Sequence, residues 1–489
     1  MTPELPIFSP ARRSWLRRSI YAAAAVATLV TLFYAEENWR GRRAWEHYKR
    51  ERVAAGDVFD GSILEQPKVP DDQNFYKTPL LQSVGYRDLT TGTSGYKGLW
   101  LWGDARAIGS FAEGKRTVIS TYHDSLRSRS EYSAPVTPLD APADVVRLFN
   151  QSPDIEELRR ASLRPFSQCN LMKSPFTDPI PNYVAIRGFV QGFTLLAKAE
   201  LDSGDPESAF NDTRVILRFA DALRGSPTLV SAMIRVSILG LYTQAFWDGW
   251  ADQRWTDKQY EAFQTNFLSL NCFADYERAL RGEGVGIRVL SEDLPIGVLL
   301  NMLQRSPSSL MDRVANLLIR AAPSGWYYQN LRVYYRNMEG SYTGLNIPGK
   351  RYDPEAGNEA QKRLEALRDD RSLFSMLSRV GIPNYVKART ACARTHAYAN
   401  EAAIVSALER FRHAEGHYPT ALSELSPKFM IAIPADVIGD QPLHYRVIDK
   451  GFQLYSVGID GKDDGGVPPK DLSSSDPCDW VWMSPVGSE

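Results

Sequence analysis

The densest grouping of chemically useful side chains lies between Ser456 and Asp479. Asp460, Asp463, Asp464, Asp471, Asp476 and Asp479 fall in one stretch that opens with GIDGKDDGG. Hard carboxylate oxygens suit calcium, which takes about 6–8 oxygen ligands. The glycines let backbone carbonyls turn inward to complete such a shell. The D-x-D-x-D-G spacing of an EF-hand is absent. One reading is an irregular loop site for calcium, with Asp460, Asp464 and Asp479 among the candidate ligands. The alternative is a solvated acidic turn.

Other constellations carry less chemistry. His413 and His417 are four apart around Glu415, but Gly416 interrupts the helix and the two rings share no face. They fit an exposed helix terminus, where a cation complements the carbonyl end. The G-x-G-x-G of GEGVGI (Gly282–Ile287) follows a helical pattern rather than a strand, so a phosphate-loop reading fails its context. G-x-S-x-G, H-E-x-x-H and Walker patterns do not occur. Glu277, Glu283, Glu292 and Asp293 have no spacing that defines an acid/base pair. No catalytic or cofactor-binding residue is assigned. GWYYQNLRVYY (Gly325–Tyr335) places aromatics at helical spacing and reads as core, with a binding surface as the alternative. Cys169, Cys272, Cys392 and Cys478 stand alone, which removes the paired-cysteine zinc and redox motifs. They are either buried free thiols or partners in up to two disulfides, in any of the three connectivities open to four cysteines.

The elements that must position these residues follow from length and pattern. A chain of 489 residues exceeds one ordinary core and implies two or three domains. A net charge of -1 leaves no electrostatic footprint for nucleic acid. After a basic tail (residues 1–19), the run Ile20–Ala35 carries no charge. As a helix it reaches about 24 Å, close to a ~30 Å hydrocarbon core, and Arg17 and Arg18 can snorkel to the interface. Tyr21, Tyr34 and Trp39 suit the interfacial zones. Cleavage after Ala35 would set Phe33 where a signal peptidase needs a small residue, so an uncleaved anchor is expected. Lysine and arginine flank both ends, so charge does not orient it.

Residues 36–180 read as a polar helical stalk ending at Gly56, a Pro/Asp/Gln-rich linker and a mixed segment. In the last, Ser152-Pro153-Asp154 opens a helix. Residues 181–338 read as an antiparallel helical-hairpin bundle. Its first helix is Tyr183–Leu201. Asp205 and Pro206 open the second, Ser226 and Pro227 the third, and a Thr256/Gln259 capping box the fourth. Short connections force antiparallel neighbours. Residues 339–382 form a polar connector. Residues 383–489 form a small α+β domain. It has a long helix Asn384–His413 and a three-stranded antiparallel sheet from Leu443–Ile448, Gln453–Val457 and Asp479–Met483. The fold class is mainly α.

The tail carries a resemblance. After the long helix come E-G-x-Y-P at Glu415–Pro419 and a proline-flanked Asp at Ala432–Asp436. Then follow G-x-Q-P-L-x-Y at Gly439–Tyr445, Y-S-x-G-x-D-G at Tyr455–Gly461 and D-W-x-W at Asp479–Trp482. In that order they resemble the C-terminal globular domain of the major pseudopilin of type II secretion. The whole chain also resembles bacterial envelope proteins with an N-terminal anchor and such a tail, VPDDQNF and GWYYQN being the shared phrases. The resemblance implies a calcium loop, with Asp460 and Asp479 at the matching positions. It also implies a bulk that lies outside the cytoplasm. It does not extend to filament assembly. The stretch GFTLLAKAE (Gly192–Glu200) looks like the pseudopilin peptidase site, but Ala197 stands where Glu is needed and LDSGDPESAF follows instead of an apolar run.

The expected function is that of a single-pass inner-membrane protein with an extracytoplasmic body. It would act through protein partners rather than catalysis. The alternatives are an enzyme with its site in the helical domain, and a divergent type II secretion component.

Overall fold

A computed structural model describes residues 10–57, 59, 61–84, 86–87, 101, 103–169, 180–293, 321–367, 372, 374–449, 451–468 and 478–485. They are mainly helical, 62% helix against 7% strand, which is the expected class. The chain divides into two compact units.

The first unit joins residues 1–59, 287–338 and 366–382. Its spine is one 45-residue helix, Pro10–Ala54. The apolar run and the expected stalk are continuous, because no proline lies between Ala35 and Ala54 and Gly41 is the weakest helix former there. At ~1.5 Å per residue such a helix reaches roughly 68 Å, more than twice a hydrocarbon core. Its apolar part is bare, and it is long and apolar enough to cross a membrane. Among the described residues one further helix passes this test, Leu229–Ala251, and 56% of its apolar window is buried, as in a protein core.

Beyond Ala35 the same helix packs against the rest of its unit. Glu37, Trp45 and Tyr48 are buried. Trp326 Nε1 donates to Glu37 Oε2 at 2.7 Å, and the Gly325 N–H donates to Asn38 Oδ1 at 2.9 Å. The Trp45 and Tyr335 rings lie 5.3 Å apart. Gly41 permits this close crossing, since a Cβ there would sit 2.0 Å from Gly325 O. The aromatic helix Ser324–Gly340 is therefore core, as its spacing suggested, with Tyr327, Tyr334 and Tyr335 buried.

The second unit joins residues 60–286, 339–365 and 383–489. Three hairpin helices, Tyr183–Asp202, Pro206–Ala222 and Leu229–Ala251, form its helical half. Asp205 caps the second, accepting from the Ser208 N–H at 3.0 Å, as expected. The third opens later than Ser226: Thr228 is its cap, and Thr228 Oγ1 accepts from the Ser231 N–H at 3.3 Å. The Thr256/Gln259 capping box is formed.

Residues 181–286, most of the expected helical domain (181–338), share the second unit with the tail (383–489). Aromatic side chains of the third hairpin helix bind the tail directly. Trp250 Nε1 donates to Glu409 Oε1 at 2.8 Å, and Trp247 Nε1 donates to the Met483 carbonyl at 2.8 Å. The Trp482 ring sits 5.7 Å from Trp250 and 5.9 Å from Phe246. One apolar cluster then runs from Phe273 through Tyr352, Ala393, Ala397 and Tyr398 to Val437, Ile438 and Trp480. Burial on this scale, at ~25 cal/mol per Å², makes the segments one core.

The long helix spans Met376–Glu415 and contains Pro383, which was expected to precede it. The sheet is three-stranded and antiparallel, as expected: His444–Ile448, Gly451–Ser456 and Trp480–Val481. His444 faces Tyr455, and Tyr455 faces Val481 on its other side.

Candidate functional site

Where the connector meets the tail, a cleft of about 640 Å³ opens. One wall is Gly344–Glu355. The Tyr352 N–H donates to the Val437 carbonyl at 2.7 Å, and the Gly439 N–H donates to the Tyr352 carbonyl at 3.1 Å. This pairing seats the connector against Val437–Gly439. The opposite wall is the loop that leaves strand Gly451–Ser456. Asp353, Glu355, Asp440, Asp460 and Asp463 line the cleft, facing Arg351 as the permanent cation and His444.

Each carboxylate is held by local structure. Asp353 Oδ1 accepts from the N–H groups of Glu355 (2.9 Å) and Ala356 (3.2 Å), opening the helix Pro354–Ala366. Asp440 pairs with Arg351 and stands in left-handed backbone, φ 65°, which aspartate tolerates better than most residues. Asp460 accepts from the Lys462 N–H at 3.2 Å. Asp463 Oδ1 accepts from the Gly465 N–H (2.8 Å) and Tyr455 OH (3.0 Å), and Oδ2 lies 3.4 Å from His444 Nδ1. The Gly465 amide, then the Tyr455 hydroxyl, hold the Asp463 carboxyl below its ordinary range.

Behind the cleft lies a buried acid. Asp436 accepts from Ser456 Oγ at 2.6 Å and from the N–H groups of Ile438 and Val457, each at 3.0 Å. Burial pushes its pKa up, and those donors oppose the shift. Glu401 of the long helix is buried nearby and is raised well above the carboxylate range by burial first, then by Asp436.

The three expected calcium ligands part company. Asp460 faces the cleft. Asp464 has an exposed side chain and contributes its backbone N–H to Asp479. Asp479 is fully buried, and its Oδ2 accepts from the N–H groups of Asp464 (3.1 Å) and Gly466 (2.7 Å). It closes the loop through amides. Gly458 is needed for that closure, because a Cβ there would meet the Cys478 carbonyl at 1.9 Å. Among the described residues no group of three His, Cys, Asp or Glu side chains is placed to hold a metal ion. Asp471 and Asp476 lie outside the described residues. All four cysteines are free thiols. His413 sits at the helix end and faces Asp257, its Nδ1 3.1 Å from Oδ1.

Sequence reading missed the connector wall. Asp353-Pro354 is an N-cap followed by a first-turn proline, a readable helix start inside what looked like a loop.

The chain was compared with protein-family models, with curated proteins and with solved structures, and none of the three gives a match.

Proposed function

We propose that this is a single-pass inner-membrane protein whose extracytoplasmic body works by binding. In this reading the carboxylate cleft receives cationic side chains of a protein partner. The observation that carries it is the charge of the cleft, five carboxylates against Arg351, with Asp440 the carboxylate that pairs with it. A concave wall of one sign focuses its potential and attracts the opposite charge. The pseudopilin-like order of motifs in the tail supports the extracytoplasmic placement. The bare apolar stretch of the anchor helix supports the membrane.

The test uses the full chain in nanodiscs and a fluorescent lysine- and arginine-rich peptide. Binding is expected to weaken with salt and to fall about tenfold or more when Glu355 and Asp460 are both changed to Lys. Equal binding by the wild type and the reversed variant sinks the reading. A C-terminal alkaline phosphatase fusion tests the topology separately: an inactive fusion places the body in the cytoplasm.

A further inference from the structure

We propose that a second pocket, on the second hairpin helix, binds a phosphomonoester. It measures about 330 Å³ and is lined by Arg214, Arg218, Asp221, Arg224, Asn266 and Leu217 among others. Three guanidiniums face one carboxylate there. That carboxylate is already committed: Asp221 Oδ1 lies 2.9 Å from Arg224 Nη2 and 3.8 Å from the buried Arg235 Nη1. Arg214 and Arg218 are left with neutral acceptors. Arg218 donates from Nε to the Ser162 carbonyl (2.9 Å) and from Nη2 to the Arg164 carbonyl (2.7 Å). Arg214 donates from Nη2 to the Asn211 side-chain oxygen at 2.9 Å. Those bonds orient both guanidiniums without neutralising them.

The arrangement opposes stability when nothing is bound. Arg214 and Arg218 are four apart on one helix face, where like charges repel. Burial pushes the Arg218 cation toward its neutral form, Asp221 opposes that, and Arg214 adds to it. Helix-end electrostatics explain Arg224 but not Arg214, which lies two turns before the helix end at Ala222, beyond the reach of the terminal carbonyls. An anion with several acidic oxygens relieves both penalties. Guanidinium forks match phosphate oxygens in paired hydrogen bonds. The volume falls at the small end of ligand pockets, ~300–1,000 Å³, and exceeds the need of a bare phosphate ion. A phosphate carried on a small polar group fits it. This site shares no residue with the acidic cleft, so either proposal can fail without the other.

The test is titration calorimetry of the full chain in non-ionic detergent with glycerol 3-phosphate at constant ionic strength. Saturable binding is expected. Arg214→Gln should weaken it about tenfold or more, Arg214→Glu should abolish it, and Arg214→Lys should fall between. Arg214 bonds only the Asn211 side chain, so circular dichroism should show these variants folded; Arg218→Gln is a second disruption. Phosphatidic acid in mixed micelles forms a second arm: tighter binding there assigns the ligand to a lipid headgroup, weaker binding to a soluble ester. The proposal is overturned by an absence of saturable heat, by acetate binding equally well, or by affinity unmoved in both Arg214→Glu and Arg218→Gln.

Discussion

His396 makes the pH dependence of stability calculable. It is buried in the long helix, its ring 5.7 Å from Phe273, and neither ring nitrogen finds a partner in the protein. Burial first, then the Lys350 cation, pushes its pKa down from 6.5 to about 3. Below about pH 6.5 the unfolded chain binds a proton at this site, and the native chain does not until about pH 3. Stability therefore falls as pH drops through that window. Between pH 7.5 and 5 about 1.5 units of the window are crossed, worth roughly 2 kcal/mol at 1.36 kcal/mol per unit. A unit of roughly 360 residues, at about 2.1 cal/mol/K each, converts this to roughly 3 °C of melting temperature. His396→Phe keeps the ring and removes the titration. The full chain in detergent should be melted at pH 5 and 7.5, wild type beside variant. The wild type should lose about 3 °C more than the variant over this interval, and at pH 7.5 the variant should be at least as stable, since no hydrogen bond is broken. Parallel pH curves for the two proteins would refute the reasoning. So would a His396 resonance titrating near 6.5.

Two further outcomes follow. Arg159 holds two buried acids together, with Nη2 2.6 Å from Asp212 Oδ2 and 3.0 Å from Glu200 Oε1. Arg159→Ala should cost about 3–5 kcal/mol in urea unfolding, because it strands buried carboxyls; a loss below about 1 kcal/mol would show the cluster to be solvated. Calcium binding by the Asp460–Asp479 loop, carried forward as a proposal, predicts a calorimetric rise in melting temperature at saturating calcium that Asp479→Asn removes. An unchanged melting temperature rejects the site.

Much of the local structure was legible in the chain. Asp205-Pro206 and Thr256/Gln259 place helix starts where the side-chain hydrogen bonds later appear, because capping depends on residues three positions apart. The pairing of strand His444–Ile448 with the next strand, Gly451–Ser456, is likewise local. The long helix starts at Met376 rather than at Asn384, since Pro383 removes one helix hydrogen bond without ending the helix. The site was read by half. The Asp-rich loop was visible as a stretch of carboxylates, whereas the wall formed by Gly344–Glu355 lies about a hundred residues upstream in the sequence, and no local pattern ties it to Asp460.

By itself, then, the sequence determined the N-terminal apolar helix, the mainly helical class, the helix starts at Asp205 and Thr256 and the three-stranded sheet. These depend on apolar runs, caps and alternation over a few residues. Only the tertiary structure decided that Trp247, Trp250 and Phe246 fuse the helical hairpins to the tail. It alone turned Asp479 inward onto backbone amides while Asp460 faces a cleft. A carboxylate's partners depend on which backbone N–H groups the fold delivers to it, and composition holds no record of that.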